Sequence, residues 1–355
     1  MRNLLLAAAP LALLVTAAPA QPQASAAIAS GKAQPSPLAP SEIVAQAPTR
    51  DWTAIPASDL LVMDLAPDAK GKPRRVVIQL IPQPFSQGWV GNIRKLAAAH
   101  WWDGMSINRV QDNYVVQWGD PNADDKVKAK PLPTGLVDTS QDLDPKDPYI
   151  IDPTDDSNYV DKECPIWTHL EHPPECLRPF IYHSTSIDAY VDHRGLWSGW
   201  PLAWDYLGRG KKAVPIAWPV HCYGMVGVGR DMPPNTGSGA ELYVVIGHAP
   251  RHLDRNIALV GRVIEGMEFL SSLPRGHGGL GFYDLEQGDE RTGIVSIHPG
   301  VEVKDLPTYE YLSTESTSFA HYADARANRR DAFFIRPAGG ADICNIPVPV
   351  RRVVK

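Results

Sequence analysis

Trp102-Asp103-Gly104-Met105-Ser106-Ile107-Asn108-Arg109-Val110-Gln111-Asp112-Asn113-Tyr114-Val115-Val116-Gln117-Trp118-Gly119-Asp120-Pro121 is the stretch from which the rest of the chain can be read. Ile107 to Gln117 has strand character, broken by a polar turn at Gln111-Asp112-Asn113. Working back from it, Trp89 to His100 has helical spacing, with Val90, Ile93, Leu96 and Ala97 on one stripe. Before that, Leu60–Leu65 and Val76–Ile81 read as strands separated by a turn rich in Pro, Asp, Gly and Lys. Working forward, Leu242–Gly247 and Ile257–Ile264 are β-rich apolar runs, Gly266–Leu273 has helical spacing through Met267, Leu270 and Leu273, and Gly293–His298 reads as a closing strand. Many short strands with two separated helical segments predict a mainly β protein, a barrel capped by helices. The strands do not alternate regularly with helices, which argues against a parallel α/β sheet.

Residues 122–212 interrupt this pattern. They are dense in Asp, Pro, His, Tyr and Trp with weak periodicity, and read as one long, mostly irregular insertion. The 34 prolines, about twice the usual share, require such segments, because proline removes a backbone donor and fixes φ. Residues 21–50 are rich in Ala, Pro, Gln and Ser and read as a flexible tether, with order beginning near Trp52. The expected layout is a signal peptide over 1–20, a linker over 21–50, a barrel domain over 51–300 interrupted by the insertion, and an extension over 301–355. That extension carries a helical segment around Thr317 to Asp331 and a strand-like stretch from Ile346 to Val354.

Arg2, the apolar run Leu4 to Thr16 and the small residues Ala18-Pro19-Ala20 form a secretory signal, with cleavage expected before Gln21 and a periplasmic location for the mature chain. The run is too short to hold a stable membrane span. A net charge of −6 has no basic bias that would suit nucleic acid. The four cysteines, Cys164, Cys176, Cys222 and Cys344, would pair in an oxidising compartment. Three pairings are open. The short loop favours Cys164 with Cys176, which leaves Cys222 with Cys344 to tie the tail to the barrel.

Three blocks of sequence resemble the cyclophilins. The first is the opening stretch, from Trp102 to Val110 and from Tyr114 to Pro121. The second runs from Gly224 through Arg230, then Pro234-Asn235-Thr236 and Glu241-Leu242-Tyr243-Val244; the third is Leu253-Asp254-Arg255-Asn256 followed by Val260 to Met267. All three stand in the family's order and span about 60–121 and 213–300. The resemblance implies an eight-stranded closed antiparallel barrel capped by two helices. It also implies peptidyl-prolyl isomerisation in a surface groove that takes proline-containing polypeptides.

Rotation about an X-Pro bond faces a barrier of roughly 20 kcal/mol because the amide is resonance-stabilised. The twisted state localises a lone pair on the proline nitrogen, and a fixed donor there favours it over the planar forms. No metal, nucleophile or cofactor is needed. The resemblance assigns catalysis to Arg109, with Gln117 holding it. It assigns substrate binding to Tyr114, Val115, Gly229, Arg230, Glu241, Tyr243, His252 and Leu253. Several of these depart from the family. Tyr114 and Tyr243 replace phenylalanines and add hydroxyls that need partners, Val115 replaces a methionine, Glu241 a glutamine and His252 a tryptophan. Glu241 is expected to pair with Arg109.

Other chemistries are weaker. Cys164, His169, His172 and Cys176 could hold zinc, but a disulfide is the simpler reading in an exported chain. There is no G-x-S-x-G nucleophile elbow, and the glycines at 224, 227 and 229 do not spell a dinucleotide fingerprint. The alternative function is a non-catalytic module that holds proline-containing segments of exported proteins.

Overall fold

The computed structural model describes residues 37–123, 125–139, 188–207 and 214–353. The signal sequence, most of the tether, and Cys164, His169, His172 and Cys176 lie outside them. Among the described residues the chain runs α1 (Pro40–Gln46), β1 (Trp52–Ile55), β2 (Leu60–Leu65), β3 (Arg74–Leu80), α2 (Gln87–Ala98), β4 (Ser106–Val110) and β5 (Val115–Gly119). After the gap come β6 (His193–Trp197), β7 (Trp200–Leu207), β8 (Val214–Pro219), β9 (Met225–Val228), β10 (Leu242–Val245), β11 (Leu259–Glu265), α3 (Met267–Ser271), β12 (Ile294–Pro299), β13 (Tyr309–Leu312), α4 (Thr317–Ala327) and β14 (Val350–Arg352). No described helix is long and apolar enough to cross a membrane.

Eight strands form one antiparallel sheet in the order β12-β2-β3-β11-β9-β10-β5-β4. Its two ends meet. Ile107 N donates to Thr292 O at 2.9 Å, Ile294 N to Met105 O at 2.7 Å, and Gly104 N to Ile294 O at 3.0 Å. The sheet is therefore a nearly closed barrel, as the resemblance implies. Period-two alternation fills its interior with Leu61, Met63, Val76, Ile78, Val116, Trp118, Val226, Val228, Leu242 and Val244, all buried in one cluster. The apolar stripe of α2 and Leu270 of α3 join the same core.

The outer face is also used. Leu60 and Val77 pack under Ile55 and Tyr309 of a small sheet ordered β1-β13-β14. Helix α1 lies in the stretch expected to be a tether. Proline opens it, Glu42 accepts from the Ala39 amide, and Ile43 and Val44 pack toward Phe319 and Tyr322 of α4. A seven-residue helix is marginal alone and is held by that tertiary contact. The insertion is likewise more regular than its composition predicts. Its β6 and β7, with β8 just beyond its end, form an antiparallel meander that buries Trp200, Leu202, Ala203, Ile216 and Trp218 in the main core. Pro201 and Pro219 lie within these strands and conceal the strand signal. Buried Arg262 on β11 fastens the meander to the barrel, donating to Gln79 Oε1 at 2.9 Å and to Gly199 O at 2.6 Å. Cys222 and Cys344 form the expected disulfide, with Cα atoms 5.1 Å apart.

Candidate active site

One cross-strand row carries the chemistry. Arg109 on β4 pairs with Gln117 on β5, Gln117 with Tyr243 on β10, and Tyr243 with Gly227 on β9. Their neighbours Val116 and Val244 fill the barrel, so alternation places this row on the outer face. A bulge decides the position of Arg109. Ile107 opposes Trp118 and Arg109 opposes Gln117, leaving Asn108 as the extra residue. Without it Arg109 would share the inward face of Ile107. With it, Val110 turns inward and Arg109 turns out. The Asn108 amide holds the bulge by donating to Gly119 O at 2.8 Å.

Three of the five guanidinium N–H groups of Arg109 are used within the chain. Nε donates to Leu280 O at 2.7 Å, one Nη to Gln117 Oε1 at 3.0 Å, and the other Nη to Gln111 Oε1. The guanidinium carbon lies 5.6 Å from the centre of the Tyr114 ring and 5.4 Å from that of Phe282. Burial lowers its pKa, while Tyr114 and Glu241 act the other way; an arginine remains charged at neutral pH.

Gln117 is buried and donates through Nε2 to Glu241 Oε1. Glu241 is thus connected to Arg109 through the Gln117 amide, in place of the direct pair expected from the sequence. Because Glu241 can only accept, it fixes the amide with its oxygen toward Arg109. Gly229 donates its amide to Glu241 O at 2.8 Å, and a Cβ there would come within 2.7 Å of Glu241 Cγ.

Beside this polar row lies an apolar cluster separate from the barrel core. Val115, Tyr243 and Val245 are buried, with Tyr114, Leu253 and Ile257 packed against them. His252 is exposed and stacks on Tyr114 with ring centres 6.2 Å apart. Arg230 does not point its donors into this group; it holds Asp231 O on its own loop and Asn256 O on the segment before β11.

The Tyr243 hydroxyl finds its partner behind the groove. Gly227 leaves room for the ring, since a Cβ there would lie 2.3 Å from it. The hydroxyl lies 2.9 Å from His221 Nε2, and His221 Nδ1 lies 2.9 Å from Asp254 Oδ1. The Asp254 carboxylate accepts, so Nδ1 carries the proton and Nε2 accepts from Tyr243. Asp254 also takes Arg251 Nε at 2.6 Å, and Arg251 reaches Asp188 at 2.9 Å. His221, Asp254 and Arg251 are all buried. Sequence reading missed His221, Arg251, Gln111 and Phe282. The one signal for His221 was the hydroxyl that Tyr243 brings to a phenylalanine position, which calls for a partner.

Residues 70–285 match the family described as cyclophilin type peptidyl-prolyl cis-trans isomerase/CLD. No curated protein matches the chain. Among solved structures, the cyclophilin AquaCyp293 from Hirschia baltica is similar at 19% identity and TM-score 0.53, over 86% of this chain and 95% of that one. A cyclophilin type peptidyl-prolyl cis-trans isomerase from Cryptosporidium parvum, solved in the presence of the dipeptide Ala-Pro, matches at 9% identity and TM-score 0.34, over 67% of this chain and 98% of that one. With the family matched across most of the barrel and the barrel itself formed, this chain belongs to the cyclophilin-type peptidyl-prolyl cis-trans isomerases.

Proposed function

We propose that this protein isomerises X-Pro bonds of exported polypeptides, with Arg109 as the donor that stabilises the twisted amide. The observation that carries this reading is the 3.0 Å hydrogen bond from Arg109 to Gln117, set beside the apolar cluster of Val115, Tyr243 and Leu253. The cluster has the chemistry to grip a proline ring. Two guanidinium N–H groups remain for a ligand, and one aimed at the proline nitrogen would stabilise the lone pair that appears only when conjugation is lost. Gln117, held by Glu241, keeps the guanidinium from swinging away. An extracytoplasmic location is supported by the signal-like residues 1–20 and by the Cys222–Cys344 disulfide, since such bonds persist in oxidising compartments.

The test is prolyl isomerisation of an Ala-Pro peptide by the chain lacking residues 1–20. Arg109→Ala should lower kcat/KM about a hundredfold, the usual cost of one preorganised donor. Arg109→Lys should recover little, because an ammonium lacks the planar fork. Equal activity of wild type and Arg109→Ala would remove Arg109 from the chemistry. Inactivity of both would favour a proline-segment binding module.

A further inference from the structure

His100, Asp103 and His298 converge at the seam of the barrel. Helix α2 ends in a Schellman turn, with His100 N donating to Ala97 O and Trp101 N to Leu96 O, both at 3.0 Å. His100 takes the left-handed position of that turn at φ 53°, where glycine is usual. Asp103 follows in the next turn, and His298 comes from β12, the strand at one end of the barrel sheet.

Three donor atoms face one another. His100 Nδ1 lies 2.7 Å from His298 Nε2 and 3.2 Å from Asp103 Oδ2, and His298 Nε2 lies 2.9 Å from the same oxygen. The other Asp103 oxygen accepts from Ile297 N at 3.1 Å, which turns Oδ2 toward the two rings. Glu302 lies 3.6 Å from the far nitrogen of His100. The negative charge there favours the tautomer with its proton on Nε2, which leaves the Nδ1 lone pair to the cluster. Three lone pairs so placed either share one proton or take up a cation. An ion about 2.1 Å from each atom can be placed among them, with ligand angles of roughly 80–100° that open toward the tetrahedral value when the donors spread by about half an ångström.

We propose that His100, Asp103 and His298 bind one divalent transition-metal ion of the zinc class, with Glu302 orienting His100. Two imidazoles and one carboxylate suit zinc, nickel or cobalt and do not suit calcium or magnesium. The ion ties the turn after α2 to β12 and so fastens the barrel near its seam. The site is distinct from the Arg109 groove, none of whose residues it shares.

The experiment is titration of the full mature chain with zinc chloride, read by calorimetry and by competition with a chromophoric chelator, and repeated with cobalt to read the visible absorption of a coordinated ion. One ion should bind per chain at this site. His298→Gln and Asp103→Asn should each weaken binding more than tenfold and remove the cobalt band. Glu302→Gln should weaken it about tenfold, as loss of a partner to a ligating histidine does. Zinc should raise the melting temperature of wild type and not of His298→Gln. His100→Asn gives the same test at an exposed position, with a side chain that accepts the left-handed backbone conformation. Absence of micromolar zinc binding by wild type overturns the proposal. So does binding that survives all three ligand changes, which would move the metal to another group such as Cys164, His169, His172 and Cys176.

Discussion

The Tyr243 hydroxyl sits 2.9 Å from His221 Nε2, so a groove residue is anchored to a buried chain of groups that runs through Asp254 and Arg251 to Asp188. Tyr243→Phe leaves that nitrogen buried without its partner and should cost about 1–3 kcal/mol in urea unfolding. Asp254→Asn should cost at least as much, about 2–3 kcal/mol, because the buried Arg251 loses one of its two close carboxylates and keeps only Asp188. A Tyr243→Phe protein as stable as wild type would show that the hydroxyl is not held there.

Glu241 acts on Arg109 by orienting Gln117. Glu241→Gln keeps an acceptor for the Gln117 amide and should change kcat/KM only a few-fold. Glu241→Leu lets that amide flip its NH2 group toward the guanidinium, and should lower kcat/KM about tenfold, the equivalent of ~1.4 kcal/mol. Unaltered turnover in the leucine variant would separate Glu241 from the site.

The Cys222–Cys344 bridge closes a span of 122 residues. Loop-closure entropy for a chain of that length corresponds to about 4–5 kcal/mol. Cys222→Ser with Cys344→Ser should move the denaturant midpoint down by several kcal/mol in stability. It should also speed proteolysis around Ile343–Ile346. Equal midpoints for oxidised wild type and the double variant would contradict this.

Acid should weaken the same buried network. Burial pushes the Asp188 carboxyl up, but the Tyr190 amide and the Arg251 guanidinium outweigh it and hold its pKa below the usual value. A carboxylate with a depressed folded value contributes stability at neutral pH, and that contribution is lost as pH falls below about 4. The stability difference between wild type and Asp188→Asn should therefore be large at pH 7 and shrink toward pH 3. A difference independent of pH would mean that Asp188 does not titrate against Arg251.

The barrel was legible because its signals are local. The short apolar runs Leu60–Leu65 and Val76–Leu80, the polar turn at Gln111-Asp112-Asn113 and the apolar stripe of α2 each depend on residues a few positions apart, and the structure has an element at each. Arg109, Gln117 and Tyr243 were legible through the family blocks, and adjacent strands bring them into one row. What the linear order could not express are contacts between distant segments and parity changes within a strand. The bulge at Asn108 turns Arg109 outward, yet nothing in the residues of β4 marks an extra position. α1 is held by α4 from the far end of the chain, and β6–β8 are strands despite their prolines because Trp200, Ile216 and Trp218 are buried against the barrel. His221 meets Tyr243 and Asp254 only where three loops and strands fold together. A buried hydrogen bond is specified by direction and desolvation in three dimensions, and spacing along the chain carries neither.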